Sequence, residues 1–132
     1  MPTLLDTHAW VWWVTEDSRL SRRAATAIRR GLATDRLFVS LISVWEVAKK
    51  VEKGQLILDR PVDQWLDQAV APQGLGVWEL TLPILIESCN LPRPFHGNPA
   101  DQIIVATGRR HGAVIVTKDE RIRDYPHARS LW

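Results

Sequence analysis

Four acidic residues stand where an apolar run passes into a helix or follows closely on a strand: Asp6, Glu46, Asp101 and Asp119. Asp6 closes Thr3-Leu4-Leu5, Asp119 follows Val114-Ile115-Val116 by a few residues, and Glu46 and Asp101 lie in the first turns of expected helices. Ligands of an open parallel sheet bind beyond the carboxyl ends of its strands, so the four carboxylates are expected to share one pocket. Lys118 is the only lysine next to any of them, and like charges so gathered repel unless a cation joins them. Oxygen donors of this kind suit Mg²⁺, with Mn²⁺ able to substitute. The chemistry that follows is phosphodiester hydrolysis by metal-activated water, with two ions about 3.5–4 Å apart able to serve both the attacking and the leaving oxygen. Asp6 and Asp101 are assigned the principal metal position, Glu46 a shared or water-activating role, and Asp119 a second metal or a water-mediated contact.

Each acid has a plainer reading when taken alone. Asp6 and Asp119 can be N-caps, Glu46 the return member of a Ser43-x-x-Glu46 capping box, and Asp101 an acid favoured at a positive helix end. Against all four together stands Glu46, whose neighbours Val44, Trp45, Val47 and Ala48 are apolar and suggest a carboxylate directed inward. Thr7 and Thr117, each beside an acid, can orient a carboxylate or a bound water, or be ordinary turn residues. His8, His96, His111 and His127 form no zinc-like pair, Cys89 has no partner, and no glycine-rich phosphate loop is present. A nucleophilic-aspartate phosphotransferase built on Asp6 and Lys118 would leave Glu46 and Asp101 without a role.

The elements that must position these residues alternate. Strands are expected at Thr3–Leu5, Leu37–Ser40, Val77–Leu80 and Ala113–Val116, with a short edge strand at Arg129–Leu131. Helices are expected over the tryptophan-dense Ala9–Val14, over Ser21–Arg30 ended by Gly31, over Ser43–Lys53 ended by Gly54, after Pro61, and over Leu82–Cys89. A further helix opens with Asn98 as N-cap, Pro99 as N1 and Asp101 as N3, and closes at Gly112. This alternation, with nearly continuous apolar strands, predicts an α/β fold: a central parallel sheet of four to five strands with helices on both faces.

Composition sets the frame. The 132 residues, 45% of them hydrophobic, are expected to form a single domain, 1–132. One cysteine excludes an internal disulfide, and the lack of a signal-like or membrane-length apolar stretch points to a reducing cytoplasm and no membrane. Seventeen basic against fifteen acidic residues leave +2, which permits a nucleic acid partner without demanding one. The basic residues are read by default as solvated faces of amphipathic helices, with a subset near the rim able to hold phosphates. Seven tryptophans favour core and interface uses over base stacking. Trp10, Trp12 and Trp13 are candidates for a partner or dimer contact, and equally for the core.

Leu4-Leu5-Asp6-Thr7-His8-Ala9, Ser43-Val44-Trp45-Glu46-Val47-Ala48, Asn98-Pro99-Ala100-Asp101-Gln102-Ile103-Ile104-Val105-Ala106 and Val116-Thr117-Lys118-Asp119 together resemble PIN domains, and more narrowly the VapC-type toxins of bacterial toxin–antitoxin pairs. The match is ordered and spans nearly the whole chain. The resemblance implies a PIN-like parallel sheet between helices, an Mg²⁺- or Mn²⁺-dependent endoribonuclease, and Asp6, Glu46, Asp101 and Asp119 as its acidic quartet. It also implies a homodimer and a small antitoxin whose tail, often through an arginine, enters the acidic site. Two positions depart from many relatives, which carry Asp where this chain has Asn98 and Arg where it has Gln102. The first removes one negative charge that would favour a second metal; the second removes a cation that can contact phosphate or the antitoxin tail. The alternatives are a structure-specific DNA nuclease, and a catalytically weak PIN-like module that binds RNA or protein.

Overall fold

The computed structural model describes residues 1–132. Its elements, in chain order, are β1 (Thr3–Leu5), α1 (Thr7–Val14), α2 (Arg22–Ala33), β2 (Leu37–Ser40), α3 (Leu41–Glu52), α4 (Val62–Ala69), β3 (Leu75–Trp78), α5 (Leu82–Ser88), α6 (Pro99–His111), β4 (Val114–Val116), α7 (Glu120–Arg123) and β5 (Arg129–Leu131). The five strands form one all-parallel sheet in the order β3-β2-β1-β4-β5. From β1 the chain builds outward through β2 and β3 on one side, then returns to the other side for β4 and β5. The order therefore reverses between β1 and β4, and the carboxyl ends there are left free for a ligand.

Two apolar layers cover the sheet. Leu4 and Ile115 point into a core with Ile42, Ile84, Ile104 and Ile122, while Leu5, Leu37, Val39 and Val116 pack on the opposite side with Trp10, Ile28, Val47 and Trp65. Successive strand side chains face opposite sides, so a helix is needed on each, as the sequence predicts. Helix α6 lies close to the sheet because of Gly108: a Cβ there would come within 2.9 Å of the Ile115 side chain. Its end is set by Gly112, whose φ of 63° lets the chain leave the helix left-handed.

Several expected boundaries move, each for a local reason. Helix α2 runs through Gly31 to Ala33, because Gly31 packs against Leu37 at a spacing where an added Cβ would lie 3.3 Å from the Leu37 Cβ. The third strand is Leu75–Trp78, two residues earlier than the apolar pattern suggests, because its parallel pairing with Leu37–Ser40 sets the register. The capping box at Ser43 and Glu46 does not form. Ser40 is at once the last residue of β2 and the N-cap of α3, accepting the Ile42 N–H at 3.2 Å, and Ser43 is fully buried inside the helix. Helix α7 starts directly after Asp119, which is its N-cap, as the plainer reading of that residue has it.

Trp10 belongs to the core and not to an interface. It is completely buried, its indole N–H reaches the Ala69 carbonyl at 3.3 Å, and it meets Trp65 edge to face. Trp12 and Trp13 remain partly exposed. Trp10→Ala is expected to cost roughly 3–5 kcal/mol of folding stability through lost burial and a residual cavity. Urea unfolding followed by circular dichroism measures it, and a loss under about 1 kcal/mol would remove Trp10 from the core account.

Candidate active site

Asp6 is the first residue after β1 and the N-cap of α1. It is 3% exposed, and a buried carboxylate needs hydrogen bonds. Oδ1 accepts the Thr7 N–H at 2.8 Å and Oδ2 accepts the Thr117 hydroxyl at 2.6 Å. Thr117, fully buried after β4, also accepts the Asp119 N–H at 3.0 Å. The other threonine works across strands in the same way. Thr7 donates its hydroxyl to Glu46 at 2.5 Å and lies 2.8 Å from the Ser43 hydroxyl. Each threonine thus holds the acid that is not its nearest sequence neighbour, and the pair ties β1, α3 and β4 into one rim.

Glu46 is half-buried with its carboxylate turned to Thr7, although its neighbour Trp45 is exposed. Burial raises its pKa; the Thr7 hydrogen bond and Lys50 oppose the rise, and Asp6 adds to it. Asp101 is at N3 of α6, where the Asn98 side chain accepts its N–H at 3.0 Å. The expected cap is therefore correct in every position from Asn98 to Asp101. Burial pushes the Asp101 carboxyl up to about 7, and the negative charges of Asp6, Asp119 and Glu46 add to the rise. The other three acids thus all lie near enough to act on Asp101. Asp119 does two jobs: it caps α7 through the Arg121 N–H at 2.9 Å and turns its carboxylate toward Asp101.

The cluster is not without a cation, contrary to the expectation from sequence. Arg121 places its guanidinium 3.0 Å from Asp119 Oδ2 and 3.5 Å from Asp101 Oδ2. Burial pushes Asp119 upward, but its hydrogen bonds and ion pair with Arg121 outweigh this and hold its pKa below the ordinary value. Two histidines also reach the acids. His8 Nδ1 lies 3.5 Å from Asp6 Oδ2, and its Nε2 accepts the Lys118 N–H at 2.9 Å. His96 Nε2 lies 3.3 Å from Asp101 Oδ2, buried and not aligned for a hydrogen bond. His8 adjoins Asp6 in sequence, which was a usable signal; His96 and Arg121 reach Asp101 only through the fold.

The donors fit a divalent cation. Ligand atoms of His96, Asp101 and Asp119 all lie within 4.8 Å of one another, the His96 nitrogen is without a hydrogen-bond partner, and Asp101 is held near neutrality by burial, to which the surrounding negative charge adds a part that an ion would relieve. The family profile of the PIN domain matches residues 3–128. This chain is a member of the PIN domain family. The PIN domain is 38% identical over 128 residues to Ribonuclease VapC22 of Mycobacterium tuberculosis (strain ATCC 25618 / H37Rv), covering 97% of this chain and 95% of that protein. Its fold is also that of solved structures with little sequence in common. With VapBC2 from Rickettsia felis bound to a promoter DNA fragment the TM-score is 0.74 at 15% identity, over 99% of this chain and 98% of that one. With DNA-bound VapBC from Salmonella typhimurium it is 0.68 at 18% identity, over 99% and 97%. A toxin–antitoxin complex from Klebsiella pneumoniae gives 0.66 at 19% identity, over 98% and 96%.

The raised Asp101 pKa in this PIN domain has a stability consequence. A carboxyl whose folded pKa exceeds its unfolded one stabilises the fold fully below the unfolded pKa, near 4, and that contribution is lost as pH rises through the folded value of about 7. Glu46 has the same sign; the opposite contribution of Asp119 is lost only as pH falls below its ordinary range. Metal-free protein is therefore expected to lose on the order of a few kcal/mol between pH 4 and pH 7, and Asp101→Asn to flatten most of that slope. Urea midpoints in chelator across this range test it; a flat profile in the unmodified chain would refute the electrostatic account.

Proposed function

We propose that this chain is a metal-dependent endoribonuclease toxin that hydrolyses RNA phosphodiester bonds and is neutralised by a cognate antitoxin in the cytoplasm. The observation that carries the reading is the convergence of Asp6, Glu46, Asp101 and Asp119 at the place where the strand order reverses. Likeness over 128 residues to a protein named as a ribonuclease supports RNA as substrate, and the toxin–antitoxin complexes among the structural relatives support the partner.

Asp6 and Asp101 are assigned the principal Mg²⁺ position, with Mn²⁺ able to replace it. Glu46 would share the ion or activate the attacking water, and Asp119 would support a second ion or a water-mediated contact. When bound, the ion supplies a water of lowered pKa and positive charge for the leaving oxygen. Thr117 keeps Asp6 in one orientation and Thr7 does the same for Glu46, where the raised pKa suits a carboxylate that accepts a proton from water. Arg121, with its side chain 60% exposed, is the cation that pairs with Asp101 and that would give way there to a bound ion. An antitoxin arginine would meet the same paired carboxylates, in the geometry that a guanidinium prefers. Asn98 caps α6 without bringing a further charge, which concentrates metal binding on the four acids.

A homodimer is part of this reading. Large exposed apolar side chains are carried by α5 (Leu82, Leu85, Ile86), by the start of α3 (Leu41, Trp45) and by edge strand β3 (Val77), and exposed apolar surface of this kind marks association sites. These elements are the proposed dimer contact, and of the first helix only the partly exposed Trp12 and Trp13 remain candidates beside them. Ile86→Glu is expected to shift the sedimentation of the protein toward the monomer; an unchanged dimer places the contact elsewhere.

Catalysis is tested on total cellular RNA with Mg²⁺, with Mn²⁺ and with chelator, mapped by end sequencing. Asp6→Asn, Glu46→Gln and Asp101→Asn are each expected to lower cutting at least roughly a hundredfold, the loss that one displaced charge-stabilising group typically causes. Asp119→Asn is expected to be milder, because Arg121 already offsets that charge. Near-native cutting by any of the first three at saturating Mg²⁺ would withdraw that residue from the metal assignment. Equal cutting of DNA of the same sequence would favour a nuclease indifferent to the sugar, and absence of metal-dependent cutting would favour a binding module.

A further inference from the structure

A cleft of about 250 Å³ opens beside the carboxylates between α1 and the chain that leaves α3. It is continuous with the acidic site through two side chains. Thr7 lines the cleft and hydrogen-bonds Glu46, and His8 lines it while facing Asp6 at 3.5 Å. The cleft lies below the roughly 300–1,000 Å³ that drug-sized ligands fill, which limits its occupant to one base-sized group.

Its lining is of three kinds. Val11 and Leu56 give an apolar floor, and the half-exposed Trp12 a wall. The exposed Gln55 amide offers one acceptor and two donors, a set that can pair with the edge of a base. Lys50 and Arg19 bring positive charge. Arg19 lies 4.6 Å over the Trp12 ring and is ion-paired to Asp17 at 2.8 Å, whereas Lys50 forms no ion pair and stands close enough to Glu46 to oppose the rise in its pKa. A third cation, Lys118, lies 5.8 Å from the centre of the Trp12 ring.

We propose that this cleft receives the base of the RNA nucleotide adjoining the scissile phosphate, with Gln55 reading the base edge and Lys50 holding the neighbouring phosphate. The inference rests on the endoribonuclease reading and adds to it the determinant of cut-site preference. An arginine-bearing antitoxin segment is a poorer occupant, because Lys50 and Lys118, which form no ion pair, repel it at this wall while the neighbouring carboxylates attract it. An aliphatic side chain would leave the Gln55 amide unused.

The experiment compares the unmodified chain, Gln55→Ala and Lys50→Ala on a randomised RNA oligonucleotide pool with Mn²⁺, reading cut-site sequence, kcat and KM. Both positions lie outside the set of metal-binding acids, and thermal scans confirm that the variants fold. Gln55→Ala is expected to weaken base discrimination at one position beside the cut by roughly 5- to 150-fold, the effect of losing one paired base edge. Lys50→Ala is expected to raise KM about equally for all sequences and to reduce the salt dependence of binding by about one phosphate contact. Anisotropy of labelled RNA on Asp101→Asn protein carrying the same substitutions gives the binding losses without cutting. An unshifted cut-site profile in Gln55→Ala, together with unchanged KM in Lys50→Ala, overturns the cleft assignment while leaving the nuclease reading intact. Substitutions that weaken only antitoxin binding overturn it as well. Failure of the unmodified chain to cut RNA with metal overturns the nuclease reading, and the inference with it.

Discussion

The hydroxyl of Thr117, donated to Asp6 across two neighbouring strands at 2.6 Å, is the contact on which the rest of the site depends. A carboxylate with almost no solvent access is costly unless its lone pairs are used, and here one oxygen caps α1 while the other is held by the residue that follows β4. The same threonine receives the Asp119 amide, so the start of α7 is tied to the end of β1. Burial of one acid thereby ties together the ends of two paired strands and aims a second acid at the same space. A surface carboxylate would be free to rotate and would impose none of this.

Electrostatics then divides the acids into different kinds. Asp101 lies among negative charges with little water to screen them and is held close to neutrality, whereas Asp119 leans on Arg121 and stays readily ionised. Arg121 serves the metal-free fold as an internal counter-ion, shared between two carboxylates. The arrangement explains how a chain of only +2 can gather four acids and remain folded, since the local imbalance is smaller than the sequence suggests. It also leaves the site reactive toward any better cation.

The parts of the site that local chemistry governs were readable before the fold. Asn98, Pro99 and Asp101 take the positions that helix-start preferences assign them, and Asp6 follows its strand as expected. The parallel sheet and its helices on both faces follow from strand hydrophobicity and alternation. Ser43 was misassigned because a serine three residues before a glutamate looks like a capping box, and nothing in the sequence announces that β2 enters α3 without a turn. The pairing of Arg121 with Asp119 is local, but its reach to Asp101, 20 residues away on another helix, is set by the fold alone. The strand at Leu75 was misplaced because an edge strand takes its register from its neighbour and not from its own apolar pattern. The sequence leaves Trp10 open between core and interface, and its complete burial against Trp65 decides for the core.

The direct passage from β2 into α3 through Ser40 has a consequence for how this chain can change over time. With no connecting loop to absorb length differences, the azimuth of Glu46 around its helix is set by counting residues from the last ladder pair. One inserted or deleted residue between Ser40 and Glu46 would swing that carboxylate by about 100° around the helix axis, away from Thr7. Length variation should therefore be tolerated in the connections on the far rim of the sheet and excluded from this one. The hinge-free joint makes the orientation of Glu46 a property of the sheet itself.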